Sequence, residues 1–239
     1  MDIPVLHDPS RKNRVVSKVT TSGFKPLDHQ RLAPDEMQRR AQALLLETER
    51  RRSVRHFSSD PIPAEVIDRC IQTAGTAPSG AHKEPWTFVV VTDPAKKRAI
   101  REAAEEEERE NYSGRMNEEW IKDLERLGTT AEKSFLETAP ALIIVLRHAW
   151  QVGPDGKRQQ CYYTQESVGI ASGFLLMALH HAGLGTLTHT PSPMGFLTKL
   201  LARPANEKPF LLIPVGYPAE DCEVPTLGRR SLEQLRIHE

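Results

Sequence analysis

Arg50, Arg51, Arg52, Ser53, Val54 and Arg55 put four guanidiniums and a hydroxyl into six consecutive residues. Guanidinium grips phosphate through two parallel hydrogen bonds, so the segment suits an anionic ligand. Basic side chains at a helix end are also favoured by the helix dipole alone. The chain has no G-x-G-x-x-G and no Walker A sequence, so a phosphate here would be held by side chains. A second cluster runs from Glu105 to Glu108 and on through Arg109, Glu110, Asn111 and Tyr112. Adjacent like charges on a helix usually mark a solvated face. Glu108 and Tyr112, however, are four residues apart and share one face. A carboxylate beside a phenol can grip an ammonium group. Lys133, in the next polar segment, would complement the other end of an amino-acid zwitterion.

Two further segments could meet a ligand. Ser79, Gly80 and Ala81 lie in a loop whose small residues let backbone approach a flat molecule. Thr186, Thr188, His189 and Thr190 end a strand just before Pro191, and strand ends are where ligands often meet a sheet. The β-propensity of threonine accounts for that run without a ligand. No metal site is expected. His180 and His181 lack ligand spacing to any partner, and His189 stands alone. Cys70, Cys161 and Cys222 are odd in number and far apart, which excludes a disulfide framework or a CxxC site. Neither a G-x-S-x-G elbow nor a Cys/His site stands out.

These residues need elements to hold them. Pro34, with Asp35 and Glu36 behind it, starts a helix that runs to about Arg50. Val66, Ile67, Cys70, Ile71 and Ala74 recur at helical spacing and predict a second helix near 64–75. Trp86–Thr92 and Ala141–Arg147 read as strands, the latter apolar enough to be central. Asp93-Pro94 opens a charged helix to about Tyr112, and 113–138 is polar and helix-prone. A turn is expected at Gly153–Gly156. Residues 162–182 form a helix apolar nearly all round, closed by Gly183. Leu184–Thr190 predicts a short strand, about 193–202 a helix, and Phe210–Tyr217 a last strand. Residues 1–33 read as an extended arm. The tail 218–239 carries Leu232, Leu235 and Ile237, too apolar for a free end.

The chain has 239 residues, room for one large domain or two small ones. Lys+Arg and Asp+Glu both number 32, and that neutrality argues against a nucleic-acid partner. The charge is unevenly spread. Residues 1–55 hold 12 basic and 7 acidic side chains, a balance of +5, and 101–125 hold 4 and 10, a balance of −6. No apolar run reaches the roughly 18 residues of a membrane span. The N-terminus lacks the apolar core of a signal peptide. No membrane partner and a cytoplasmic location are therefore expected.

Taken together, RRSVR at 51–55, TAGTAPSGAHKEPWTFVVV at 73–91, EEEERENY at 105–112, TLTHTP at 186–191 and VPTLGRRSL at 224–232 resemble the nitroreductase superfamily, and within it the iodotyrosine deiodinase family. RRSVR alone is only nitroreductase-like; the second and third motifs are more specific. The resemblance implies an α+β fold: a mixed, mainly antiparallel sheet flanked by helices, in a domain-swapped homodimer. It implies an FMN-binding domain over 34–217, a substrate lid over 108–133, and an extension over 218–239 onto the partner subunit. FMN would meet Arg51, Arg52, Ser53, Val54, Arg55, Ser79, Gly80, Thr188, His189, Thr190 and, across the dimer, Arg229. Thr190, with Thr188 second, would set the reactive ring nitrogen as the catalytic hydroxyl. Ala81, Glu108, Tyr112 and Lys133 would bind substrate. The implied reaction is reductive dehalogenation of mono- and diiodotyrosine, and of the bromo and chloro analogues, with electrons from a reductase or an NAD(P)H source. Two other readings stay open: a general FMN nitroreductase or quinone reductase, and a non-catalytic flavin- or amino-acid-binding protein.

Overall fold

The computed structural model describes residues 23–239, so most of the arm expected over 1–33 lies outside the described residues. In chain order the helices and strands are α1 (Pro34–Glu49), α2 (Ala64–Gly75), β1 (Trp86–Val91), α3 (Pro94–Glu110), α4 (Glu118–Glu125), α5 (Phe135–Thr138), β2 (Ala141–His148), β3 (Trp150–Val152), β4 (Arg158–Gln160), α6 (Thr164–His181), β5 (Gly185–Thr186), α7 (Gly195–Leu200), β6 (Glu207–Gly216) and α8 (Leu232–Leu235). The chain divides into two units, Met1–Ala43 and Leu44–Glu239. In the first, Pro34 opens α1 and Glu36 pairs with Arg39 at 2.7 Å and Arg40 at 2.6 Å. The second unit holds the sheet and the site.

Its sheet has the order β1-β2-β6-β5, and every strand pair is antiparallel. β2 is central, and residues 141–146 are buried throughout. Period-two alternation along β2 builds two cores. Leu142, Ile144 and Leu146 face one side, packed with Ile100, Phe135 and Leu212. Ala141, Ile143 and Val145 face the other, packed with Ile67, Leu175 and Leu179. Helices therefore cover both faces, with α3 on the first and α2 and α6 on the second. The α+β fold with a mainly antiparallel sheet is the one expected. It is mixed through one parallel bridge, Ser53 to Thr186.

That bridge positions the arginine segment. Val54 donates its N–H to the Thr186 carbonyl at 2.9 Å, so the chain after α1 runs along the edge of β5. Val54 then buries its side chain in the first core. Glu47 fixes the end of α1: its carbonyl meets His180 Nε2 at 2.8 Å, and its carboxylate meets His181 Nδ1 at 2.5 Å.

The expected strand over Leu184–Thr190 is paired as a strand only at Gly185–Thr186. The register nevertheless continues. Leu187 donates to Pro214 O at 3.4 Å, and His189 exchanges both bonds with Leu212, at 2.9 and 3.0 Å. Proline has no N–H to return at 214, and that missing bond interrupts the ladder. The polar stretch 113–138 is two short helices, α4 and α5, after an irregular turn at Asn111–Arg115. The turn expected at Gly153–Gly156 connects a hairpin, β3 with β4, that the sequence did not announce.

Candidate functional site

Arg51, Arg52, Ser53, Arg55 and Arg229 line one cavity of about 230 Å³, together with Pro225 and Gly228. Arg229 arrives from the tail of its own chain: it donates to Glu49 O at 3.0 Å and Arg51 O at 2.9 Å. Arg52 donates to the Pro225 carbonyl. These bonds satisfy the α1 end and stitch the tail beside it, which concentrates guanidinium charge in one place. Val54 differs from expectation. Its side chain is core and its N–H is spent on Thr186, so its side chain is not available to a ligand.

A neighbouring cavity of about 210 Å³ shares Arg55 with the first. Glu108, Tyr112, Lys133, Thr188, His189 and Thr190 all line it. Sequence separates Glu108 from Lys133 by 25 residues, and the fold closes that gap. Lys133 Nζ lies 3.6 Å from Glu108 Oε2, with both side chains under a tenth exposed. The ammonium also donates to Thr129 Oγ1 at 3.0 Å and to the Thr130 carbonyl. The Tyr112 hydroxyl donates to Thr129 O at 3.0 Å, and Lys133 Nζ stands 6.0 Å from its ring centre. Glu108 reaches the interior because it continues the stripe of Ile100 and Ala104 on α3. Its neighbours Glu106 and Glu107 pair outward with Arg109 and Arg115.

Burial dominates the titration of this group. It pushes the Glu108 carboxyl up, against the pull of Lys133, and pushes Lys133 down, against the pull of Glu108. Burial raises Tyr112 as well, and the Glu108 charge adds to that rise. His189 falls to about 3, chiefly through burial and then through Lys133 and Arg55.

Several supports were not foreseen. Glu105 accepts the Lys133 backbone N–H at 2.8 Å and Arg101 Nη1 at 2.6 Å, fixing Lys133 to α3. Asn111 donates to Ser192 O at 2.9 Å. Met116, Trp120, Leu124 and Leu127 roof the cavity at helical spacing. That spacing was in the sequence, masked by the many charges between those positions. Ser79, Gly80 and Ala81 stand apart and line neither cavity. Gly80 packs on the chain before α6, where an added Cβ would lie 2.7 Å from Tyr162 O. The loop is strained: Ala81, His82 and Glu84 have φ of 51°, 52° and 44°.

Two unsatisfied groups test whether an anionic, flat cofactor fits. Among the described residues the half-buried Arg55 guanidinium has no hydrogen-bond or ion-pair partner. His189 Nε2 is buried and likewise unpartnered. Arg55 lines both cavities, so an unpartnered guanidinium faces the space an anionic group would take, and His189 lines the second. No group of three or more His, Cys, Asp or Glu side chains among the described residues could hold a metal. No described helix is long and apolar enough to cross a membrane.

The nitroreductase family model matches residues 48–217. An iodotyrosine deiodinase from Haliscomenobacter hydrossis is 57% identical over 207 residues, covering 87% of this chain and 93% of that protein. The chain belongs to the nitroreductase family, and within it to the iodotyrosine deiodinases. The human iodotyrosine deiodinase 1 is 48% identical, covering 89% of this chain and 74% of that protein. Among solved structures, an oxidised iodotyrosine deiodinase bound to FMN and 3-iodo-L-tyrosine superposes with a TM-score of 0.69 at 30% identity, covering 79% of this chain and 96% of that one. A Bacteroides fragilis nitroreductase with bound FMN, 21% identical with a TM-score of 0.59, shares the fold. The family match spans the arginine segment, Glu108, Tyr112 and Lys133, and the Thr188–Thr190 run alike.

Proposed function

We propose that this protein is an FMN-dependent reductive dehalogenase of halotyrosines, with mono- and diiodotyrosine as substrates and the bromo and chloro analogues in the same class. One observation carries the reading: Glu108, Tyr112 and Lys133 converge on a cavity that adjoins the arginine cavity through Arg55. A nitroaromatic or a quinone has no ammonium or carboxylate for such a clamp to hold. FMN, when bound and reduced, supplies the two electrons that replace the carbon–halogen bond by carbon–hydrogen, with one proton taken up and halide released.

The residues do the rest. Arg51, Arg52 and Arg229 hold the phosphate, and Ser53 and Arg55 meet the polar edge of the flavin. Thr190, with Thr188 beside it, offers the hydroxyl for the reactive ring nitrogen. Glu108 and Tyr112 take the substrate ammonium and Lys133 its carboxylate, which orders 108–133 as a lid and excludes water. Ser79, Gly80 and Ala81 contribute from a second copy of the chain. A homodimer in which the exposed apolar end of the tail, Leu232, Leu235 and Ile237, packs on the partner unites the two halves. Electrons reach the flavin from a separate reductase or an NAD(P)H source.

The decisive assay mixes dithionite-reduced holoprotein with 3-iodotyrosine under anaerobic conditions and measures tyrosine. Stoichiometric tyrosine supports the reading. No tyrosine, together with rapid reduction of a nitroaromatic, moves the protein to the general nitroreductase class. A protein that takes up no FMN is neither.

A further inference from the structure

His189 lines the cavity that gathers Glu108, Tyr112 and Lys133. His189 is 8% exposed, and its Nε2 has no hydrogen-bond partner. The residue is not slack. Its backbone exchanges both hydrogen bonds with Leu212, and its ring meets Phe135 edge-on at 5.8 Å and 84°. A buried nitrogen left unpaired is costly, so a fold that keeps one so firmly placed has a partner for it in another state. Burial and the charges of Lys133 and Arg55 keep the imidazole neutral. A neutral imidazole carries one proton, and with it on Nδ1 the buried Nε2 is an acceptor.

Lys133 has the matching need. Its three contacts, Thr129 Oγ1, Thr130 O and Glu108 Oε2, all belong to the lid segment itself. None ties the ammonium to the sheet. On the zwitterion reading above, a ligand ammonium draws Glu108 away, and the lysine loses its counter-charge at the moment it must aim at the ligand carboxylate. We propose that His189 is a positioning residue for Lys133: with substrate bound, His189 Nε2 accepts one N–H of the ammonium, anchors it to the sheet, and leaves another N–H for the carboxylate. The inference rests on that reading and extends it to a side chain outside the clamp. It accounts both for the unpartnered nitrogen and for a neutral side chain placed among cations.

The test uses holoprotein and the quenching of flavin fluorescence by two ligands, 3-iodotyrosine and 2-iodophenol, which lacks the zwitterion. His189→Leu is expected to weaken 3-iodotyrosine about tenfold, the loss of one hydrogen bond to a charged group, and to leave 2-iodophenol unchanged. His189→Gln, which keeps an acceptor, should recover most of that loss. FMN content and melting temperature report on folding, and His189→Met replaces the leucine variant should that one fail to hold FMN. Equal weakening of both ligands, or none of either, overturns the positioning role. Wild-type protein that binds no 3-iodotyrosine overturns the zwitterion reading itself, so the two failures are told apart.

Discussion

Glu108 and Lys133 are each pulled toward neutrality by burial and back toward charge by the other. Removing one partner leaves the other charged and unpaired in a site with little water, which is costlier than losing the contact itself. Glu108→Gln is therefore expected to weaken 3-iodotyrosine binding by at least ~100-fold, about 2–5 kcal/mol, while FMN stays bound. Titration of the holoprotein checks this, and undiminished affinity would remove the clamp argument. His189 gives a pH prediction at the same scale. Its folded pKa of about 3 lies below the ordinary 6.5, so the unfolded chain binds the extra proton between those values. Stability from this group is complete above pH 6.5 and is lost as pH falls toward 3. Urea melts at pH 7 and pH 5 should differ by roughly 1–2 kcal/mol more in wild type than in His189→Gln. Identical acid sensitivity in the two proteins would show that the imidazole is not held neutral by the fold.

At the scale of elements, α4 is weakly supported by the rest of the structure. None of its residues is buried, and its start depends on Asn117, whose side chain accepts the Trp120 N–H at 2.8 Å. Asn117→Ala should cost the helix about 1 kcal/mol. Because α4 buries nothing, the loss stays local: its amides exchange faster, KM for 3-iodotyrosine rises several-fold, and the melting temperature barely moves. A large drop in melting temperature would mean that α4 belongs to the cooperative core after all. Amphipathic and strongly apolar elements were the legible ones. α2, β1, β2 and α6 stand within a few residues of where the pattern of apolar side chains put them, because each buries apolar side chains in the cores on either side of the sheet. The hairpin β3–β4 escaped because three-residue strands carry no readable alternation; only its Gly153–Gly156 turn showed. The break in Leu184–Thr190 escaped because its cause, Pro214, lies on a different strand. The convergence of Glu108, Tyr112 and Lys133 on one cavity was half legible. Glu108 and Tyr112 share a face by spacing, whereas Lys133 joins them through a loop and a bond to Glu105 that no local pattern encodes.

At the scale of the molecule, the neutral total is a balance of two charged segments, and the fold brings parts of both to adjoining cavities. Arg51, Arg52 and Arg55 come from the basic end, and Glu108 from the acidic stretch. What one chain does not bring there is the loop of Ser79, Gly80 and Ala81. The same chain exposes apolar side chains it does not itself cover: Leu227, Leu232, Leu235 and Ile237 in the tail, and Phe174 on α6. Phe174 also lines an open apolar groove with Leu44, Val66 and Met177. Uncovered apolar surface of this extent, beside a site missing one loop, is what a homodimer with shared sites would leave on each subunit. Phe174→Glu places a charge in that groove, where no basic partner is within the chain's own lining except Arg69 and His181. The expected result is a shift from dimer to monomer in sedimentation velocity at micromolar concentration, with FMN lost as the dimer is lost. Raising the protein concentration should restore both together, since mass action couples assembly to a cofactor site built from two chains. A monomeric Phe174→Glu protein that retains FMN at wild-type affinity would show instead that each chain holds its flavin alone, and that Ser79–Ala81 belong to some other contact.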